Sequence, residues 1–232
     1  MNHTSTMKIV ISGYGKMGKM VEHTLADQGI ACVAKTNDVA AIDDDVARDA
    51  VCIDFSTPAA FRANYPLLAR KFKAVVVGTT GWYDIKHDVL EAFKQADTTL
   101  IWASNFSIGV TVMTAAVGLI SKLLGAAGGY SPYIVEKHHI HKLDAPSGTA
   151  KTLAGEVQRG MGVEPTIASV RVGEIAGIHT VGFESACDRI TLEHEAFSRQ
   201  GFASGAVLAA KMTLKLAPGV YDFQELFVNQ LK

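Results

Sequence analysis

At 232 residues the chain is long enough for one large domain or two small ones, each with its own core. Apolar residues make up 48% and charged residues 19%, which excludes a disordered chain. Lysine and arginine number 22 against 23 acidic residues, a net charge of -1 with no basic run, and this counts against a nucleic-acid partner.

The first predicted element is a strand, Lys8 to Ser12, which runs into Gly13-Tyr14-Gly15-Lys16-Met17-Gly18 and then a helical segment, Lys19 to Ala26. GxGxxG between a strand and a helix is a dinucleotide-binding pattern in its required setting. Gly13 permits the tight turn, Gly15 lets the backbone approach a pyrophosphate, and Gly18 lets the helix pack closely on the sheet. A second strand, Ile30 to Lys35, completes the first βαβ half. Lys35 favours the extra phosphate of NADP whereas Asp38 favours the ribose hydroxyls of NAD, so both NADH and NADPH stay open.

Val51 to Phe55 is a third strand, followed by Ser56-Thr57-Pro58 and a helix through Lys71. Ala74 to Val77 is a fourth, ending in Gly78-Thr79-Thr80-Gly81. Asp84 to Gln95 is helical, and Thr99 to Ala103 is a fifth strand, ending in Ser104-Asn105-Phe106-Ser107. Alternating strands and helices imply a parallel sheet whose Gly-, Thr-, Ser- and Asn-bearing strand ends share one edge, where a ligand should lie.

Past Ser107 the pattern changes. Ile108 to Gly125 reads as a long apolar helix, stopped by Gly128-Gly129. Tyr130 to His138, Ile167 to Val172, His179 to Glu184 and Asp188 to His194 read as strands of a mostly antiparallel sheet. Arg199 to Lys215 is helical, and Val220 to Val228 returns to the first domain. The predicted fold class is α/β: a Rossmann-type parallel-sheet domain, residues 1–105 completed by 208–232, plus an α+β domain, residues 106–207, for substrate binding and oligomerisation. A sheet with one apolar face and no second helical layer needs covering, so oligomerisation through it is expected.

The densest chemistry in the second domain is Glu136 to Thr149, EKHHIHKLDAPSGT. An apolar strand delivers this polar cluster to a cleft, and helix-forming residues follow from Ala150, which makes Ser147 the natural N-cap. The amides of Gly148 and Thr149 at that helix end, with Lys142 nearby, suggest a receptor for a carboxylate or phosphate beside imidazole proton-transfer groups. Neighbouring His138 and His139 point to opposite faces of a strand, which argues against a metal site, and no metal is expected. Cys32, Cys52 and Cys187 are scattered and form no CxxC pair, as in a reducing compartment. The opening MNHTST is short and polar, not a targeting segment, and reads as dispensable, with either Met1 or Met7 as the start. The richest apolar run, Ile108 to Leu124, is broken by Gly118, Ser121 and Lys122, so no membrane span is expected and a cytoplasmic location follows by elimination.

EKHHIHKLDAPSGTA resembles the signature of the 4-hydroxy-tetrahydrodipicolinate reductase family, formerly dihydrodipicolinate reductase. The likeness spans nearly the whole chain, through the loop at Gly13, GTTGW from Gly78, ASNFS from Ala103, RVGEIAGIHTVGF from Arg171, FASGAV and PGVYDF. It implies a nicotinamide-binding domain hinged to a substrate domain whose sheets assemble a homotetramer. The implied reaction is reduction of a hydroxylated cyclic imine dicarboxylate by NADH or NADPH with loss of water, on the diaminopimelate route to lysine. The resemblance also implies that His138 is the acid/base residue, Lys142 the proton donor and His139 a substrate contact, with Gly148 and Thr149 holding a substrate carboxylate. Cofactor contacts are implied for Gly13, Tyr14, Gly15, Lys16, Met17, Gly78, Thr79, Thr80, Ala103, Ser104, Asn105 and Phe106. The chain departs from the family in a first loop one residue shorter than GxxGxMG, in Lys35-Thr36 where an acid and Arg often stand, and in a shortened segment from Asn37 to Arg48. Two rival readings are an amino-acid or imine dehydrogenase of the same plan and a non-catalytic dinucleotide sensor. The tandem histidines, Lys142 and the PSGT turn weigh against the first, and a sensor needs no proton-transfer cluster.

Overall fold

Ile9, Val10 and Ile11 in strand β1 (Lys8–Ser12) are all without exposure, so both faces of this strand are covered. An apolar run of this kind belongs inside a parallel sheet sandwiched by helices. A computed structural model describes residues 7–229 and bears this out; the opening MNHTST lies outside the described residues. After β1 come α1 (Lys16–Asp27), β2 (Ala31–Thr36), α2 (Asp44–Arg48), β3 (Ala50–Asp54), α3 (Pro58–Lys71), β4 (Ala74–Val77), α4 (Lys86–Gln95) and β5 (Thr99–Trp102). The chain then leaves for a second unit: α5 (Ile108–Ala127), β6 (Ser131–His138), α6 (Gly148–Met161), β7 (Thr166–Arg171), β8 (Ile178–Glu184) and β9 (Arg189–Glu195). It returns with α7 (Gln200–Met212), β10 (Val220–Asp222) and α8 (Phe223–Asn229).

In the first unit the strands form a six-stranded, wholly parallel sheet in the order β10-β5-β4-β3-β1-β2. Ile9, Ile11, Ile53, Val76 and Ile101 pack on one side with Val21 and Leu25 of α1 and Ala206 and Val207 of α7. Val10, Cys52, Val75 and Leu100 pack on the other with Phe61 and Leu68 of α3 and Val89 and Phe93 of α4. Thr57 opens α3, its hydroxyl accepting from Ala60 N at 3.2 Å, with Pro58 pre-set in the first turn. Two features were not anticipated between Asn37 and Arg48. Asp38 caps a 3-10 turn at Val39–Ala41, and Asp43 caps α2.

The first unit ends at Ser107 and resumes at Gln200, with Ile108–Arg199 forming the other. The resumption therefore comes earlier than the expected residue 208. The physical reason is α7, whose Ala203, Ala206, Val207 and Ala210 are buried in the first unit's core.

The second unit carries a four-stranded sheet in the order β7-β6-β8-β9, with β6 and β7 parallel and the other pairs antiparallel. Ile134, Val181, Phe183 and Leu192 line the face under α5 and α6, meeting Met113, Val117, Leu153 and Val157. Two expectations need correction here. The apolar face is covered within the chain, and the uncovered face is mixed, with Tyr133, Val135, Thr180 and Glu193, the last two joined by a 2.7 Å hydrogen bond. Gly118, Ser121 and Lys122 do not interrupt α5 either. Its small residues admit α6: a methyl on Gly160 would stand 2.6 Å from Ser121 Cβ, and one on Gly125 would strike the Gly160 carbonyl. By length and composition α5 is thus the one helix among the described residues long and apolar enough to cross a membrane, with a mean hydropathy of 1.7.

In the first unit a methyl on Gly205 would run into the carbonyl of Phe106. Gly205→Ala should cost about 1–3 kcal/mol, the usual penalty of overpacking, read from the midpoint of denaturant unfolding.

Candidate active site

The carboxyl ends of β1, β3, β4 and β5 stand side by side and feed four loops. Gly13 turns with φ 85, and any side chain there would collide with the Phe55 backbone. A methyl on Gly18 would collide with the Gly13 carbonyl, so the helix is pressed against the loop. Gly15 has nothing within 4 Å of a Cβ. It is the N-cap of α1, which begins at Lys16 and not at Lys19, without side-chain capping and without an acidic residue in its first turn. An uncapped helix end beside open space suits a phosphate. On Gly78, a methyl would enter the Phe55 ring.

Behind these loops lies a group that sequence reading missed. Asp54, buried at the end of β3, accepts from Ser12 Oγ at 2.6 Å, Thr79 Oγ1 at 2.5 Å and Ser56 Oγ at 2.9 Å. Burial raises its proton affinity, and these hydroxyl bonds work the other way. One carboxyl group therefore ties three strand ends together.

The predicted cofactor residues separate into two kinds. Gly13, Tyr14, Gly15, Lys16, Gly78, Thr80, Ser104 and Asn105 lie at the loop edge, and Tyr14 N–H donates to Asn37 Oδ1 at 3.0 Å. The side chains of Phe106, Ala103 and Met17 instead turn into the core, Phe106 against Phe223 at 4.9 Å between ring centres, and the Thr79 hydroxyl is held by Asp54. At Phe106, Ala103 and Thr79 the backbone is what remains to meet a ligand. Lys35 is paired with Glu22 at 2.6 Å and lies 5.1 Å from the Tyr14 ring centre.

In the second unit, β6 ends at His138, which is buried. Glu136, two residues earlier, shares its face of the strand and has no exposure. Its Oε2 lies against His138 Nδ1, a contact that is an ion pair only when the ring is protonated, while Oε1 accepts from Arg171 Nη2 at 2.8 Å. Burial opposes ionisation of Glu136, but Arg171, Ser169 and His138 together bring its pKa below the ordinary value. Burial lowers the pKa of His138, with Glu136 pulling it back up. Across the sheet His179 faces His138 edge-on at 5.1 Å, and its Nε2 meets Ser147 Oγ at 3.2 Å. Burial, then the neighbouring His138, brings the His179 pKa down to about 4, so this ring is neutral at neutral pH.

Ser147 caps α6 as expected, its Oγ accepting from Ala150 N at 3.2 Å. Gly148 and Thr149 are the first residues of that helix, and Gly148 is exposed with open space around it. Lys142 Nζ donates to Asp144 Oδ1 at 2.7 Å, which holds the Asp144 carboxyl below its ordinary pKa. His139 leaves the strand and donates its N–H to the Ile175 carbonyl at 2.8 Å. Glu136, His138 and His179 bring ligand-type atoms within 4.8 Å of one another, yet Arg171 and Lys142 beside them oppose a further cation. The sequence signal for Glu136 was its place two residues before His138 on one strand; Arg171 and His179 stood in the quoted RVGEIAGIHTVGF motif, but only the sheet register brings them to His138.

Residues 7–106 match the family model described as dihydrodipicolinate reductase, N-terminus, and residues 109–227 match its C-terminus counterpart. The chain belongs to the dihydrodipicolinate reductase family. It is 38% identical over 239 residues to the 4-hydroxy-tetrahydrodipicolinate reductase of Xanthomonas euvesicatoria pv. vesicatoria, covering 96% of this chain and 98% of the relative. It is 36% identical over 245 residues to that of Christiangramia forsetii, covering 97% and 100%. Among solved structures, a dipicolinate-bound dihydrodipicolinate reductase from Paenisporosarcina sp. TG-14 superposes with a TM-score of 0.78 at 20% identity, covering 94% of this chain and 97% of the other. The DAP dehydrogenase of C. glutamicum shares the fold at a TM-score of 0.58 and 12% identity, covering 96% of this chain and 94% of the other. For a reductase family with a nucleotide-binding N-terminal domain, the glycine loop fits a pyridine nucleotide.

Gly15→Val should fold normally and weaken nucleotide binding at least about tenfold in a fluorescence titration. Gly18→Val, by contrast, should lower the unfolding midpoint, because its side chain would press on the Gly13 carbonyl and the Ile11 side chain.

Proposed function

We propose that the second unit carries out proton transfer with His138 and Lys142, while the loops of the first hold the nucleotide. As a member of its family the chain is a pyridine-nucleotide-dependent reductase of 4-hydroxy-tetrahydrodipicolinate, giving tetrahydrodipicolinate and water in lysine biosynthesis through diaminopimelate. The observation that carries the residue assignment is the gathering of a buried His138 on Glu136, the Lys142 ammonium and the N-terminal end of α6 within one short segment.

When bound, the reduced nicotinamide supplies a hydride. Negative charge then develops on the conjugated carbon-nitrogen system of the substrate, and Lys142 stabilises it as a cation and provides a proton. His138 serves as the acid/base group, and His139 contacts the substrate. Gly148 and Thr149 hold one substrate carboxylate at the end of α6, where amides and helix dipole favour an anion, and this orients the ring for reaction. The first-loop residues Gly13 to Met17 hold the pyrophosphate, with the backbone at Gly78 to Thr80 and Ala103 to Phe106 flanking the rest of the cofactor. Either NADH or NADPH serves in this reading: Lys35 is already paired with Glu22, which leaves no net positive charge there to favour the extra phosphate. A homotetramer built through the second unit is part of the proposal, and exposed Val112, Leu119 and Leu123 on α5 support a contact surface there. So is a cytoplasmic setting, which three free cysteines support.

Absorbance of NADH or NADPH, followed on adding freshly generated cyclic imine substrate, should fall in a protein-dependent manner with both cofactors. His138→Ala and Lys142→Ala should each lower kcat by roughly a hundredfold or more, the scale of lost acid/base catalysis, with nucleotide affinity nearly unchanged. Undiminished turnover in both variants would remove these residues from the mechanism.

A further inference from the structure

Arg171 is the partner of His138 in the parallel register of β6 and β7, and its guanidinium reaches behind the imidazole. Nη2 donates to Glu136 Oε1 at 2.8 Å and to the Asp144 carbonyl at 2.5 Å, and Nε donates to the Lys142 carbonyl at 3.3 Å. One planar cation thus touches the carboxylate that backs His138 and the turn that carries Lys142. Lysine lacks the fork needed for these three acceptors. On the other side of the imidazole, a methyl on Gly177 would stand 3.1 Å from His138 Nε2, so the glycine keeps that nitrogen uncovered.

We propose that Glu136 and Arg171 are positioning residues for proton transfer: the carboxylate fixes the proton of neutral His138 on Nδ1, leaving Nε2 to exchange protons, and the guanidinium sets His138 and Lys142 relative to each other. The inference rests on the assignment of His138 and Lys142 made above. A buried carboxylate beside Nδ1 holds the imidazole in one tautomer and stabilises its cation, a general role for an acid paired with a catalytic histidine.

The charged and titratable groups facing His138 define the expected pH response. From its own strand Glu136 favours the imidazolium; Arg171 on β7 and Lys142 in the following turn oppose it, as does burial. His179 on β8 stands neutral between His138 and His194 of β9, and the α6 cap residue Ser147 engages His179. Removing the Glu136 charge deletes the one group that favours the protonated ring. The pH limb governed by His138 must then move to lower pH, whichever protonation state is active.

The test is the pH profile of kcat and kcat/KM for wild type, Glu136→Gln, Glu136→Asp and Arg171→Lys. For Glu136→Gln we expect kcat to fall at least about tenfold, KM to change little, and the limb to move down by about one pH unit or more. Glu136→Asp should restore the limb, and Arg171→Lys should lower kcat while leaving the limb nearly in place, since the charge on Glu136 survives. A Glu136→Gln limb that stays put, or a kcat within twofold of wild type, overturns the proposal. If Glu136→Gln fails to fold, the tautomer of wild-type His138 decides, read from imidazole nitrogen-15 chemical shifts with the signal assigned by its loss in His138→Ala. A proton on Nδ1 supports the proposal and one on Nε2 overturns it. Should His138→Ala keep full turnover, the underlying assignment fails; should it lose turnover while the Glu136→Gln profile stays unchanged, this inference alone fails.

Discussion

A carboxylate sealed from water must be met by a cation or take up a proton, and Glu136 is met by Arg171. Removing one partner of such a buried pair typically costs about 3–5 kcal/mol, because the other is left charged and uncompensated. In this protein the pair also organises its surroundings. It sits where β6 and β7 lie in parallel register, it backs His138, and the same guanidinium holds the backbone on either side of Leu143. The chemistry of the second unit is therefore suspended from a single ionic contact, with His179 and Ser147 joining it to the start of α6.

The first unit solves a similar problem by other means. Asp54 is equally buried, yet its partners are the neutral hydroxyls of Ser12, Ser56 and Thr79. Without a cation beside it, burial dominates and its proton affinity rises, whereas the cation beside Glu136 brings that group down. One buried acid braces the loops that would receive a nucleotide. The other puts its charge to use on an imidazole.

The parallel sheet was legible because β1, β3 and β4 are continuous apolar runs separated by helix-length segments, and the glycine loop because each glycine answers a separate steric demand. Ser147 could be placed as a cap from its neighbours alone. Glu136 was half visible, since residues two apart on a strand share a face. Arg171 lies 35 residues from Glu136, and His179 faces it only through an antiparallel register that no local pattern specifies. The small residues of α5 misled for a different reason. Gly118 and Ser121 look like interruptions when the helix is read alone, and become the surface on which α6 rests once it is present. In α7 the apolar alanines gave no indication of which unit they would join.

Phe55 connects two of the nucleotide-edge loops in a way that limits how this sequence can diverge. Its backbone fills the space where residue 13 would carry a side chain, and its ring fills the space where residue 78 would. Neither position can drift alone: a larger residue at 78 becomes tolerable only in a lineage where the aromatic at 55 has already been lost, while 13 stays glycine regardless, because main chain cannot be mutated away. Substitution histories at 55 and 78 should consequently be correlated, and that at 13 invariant.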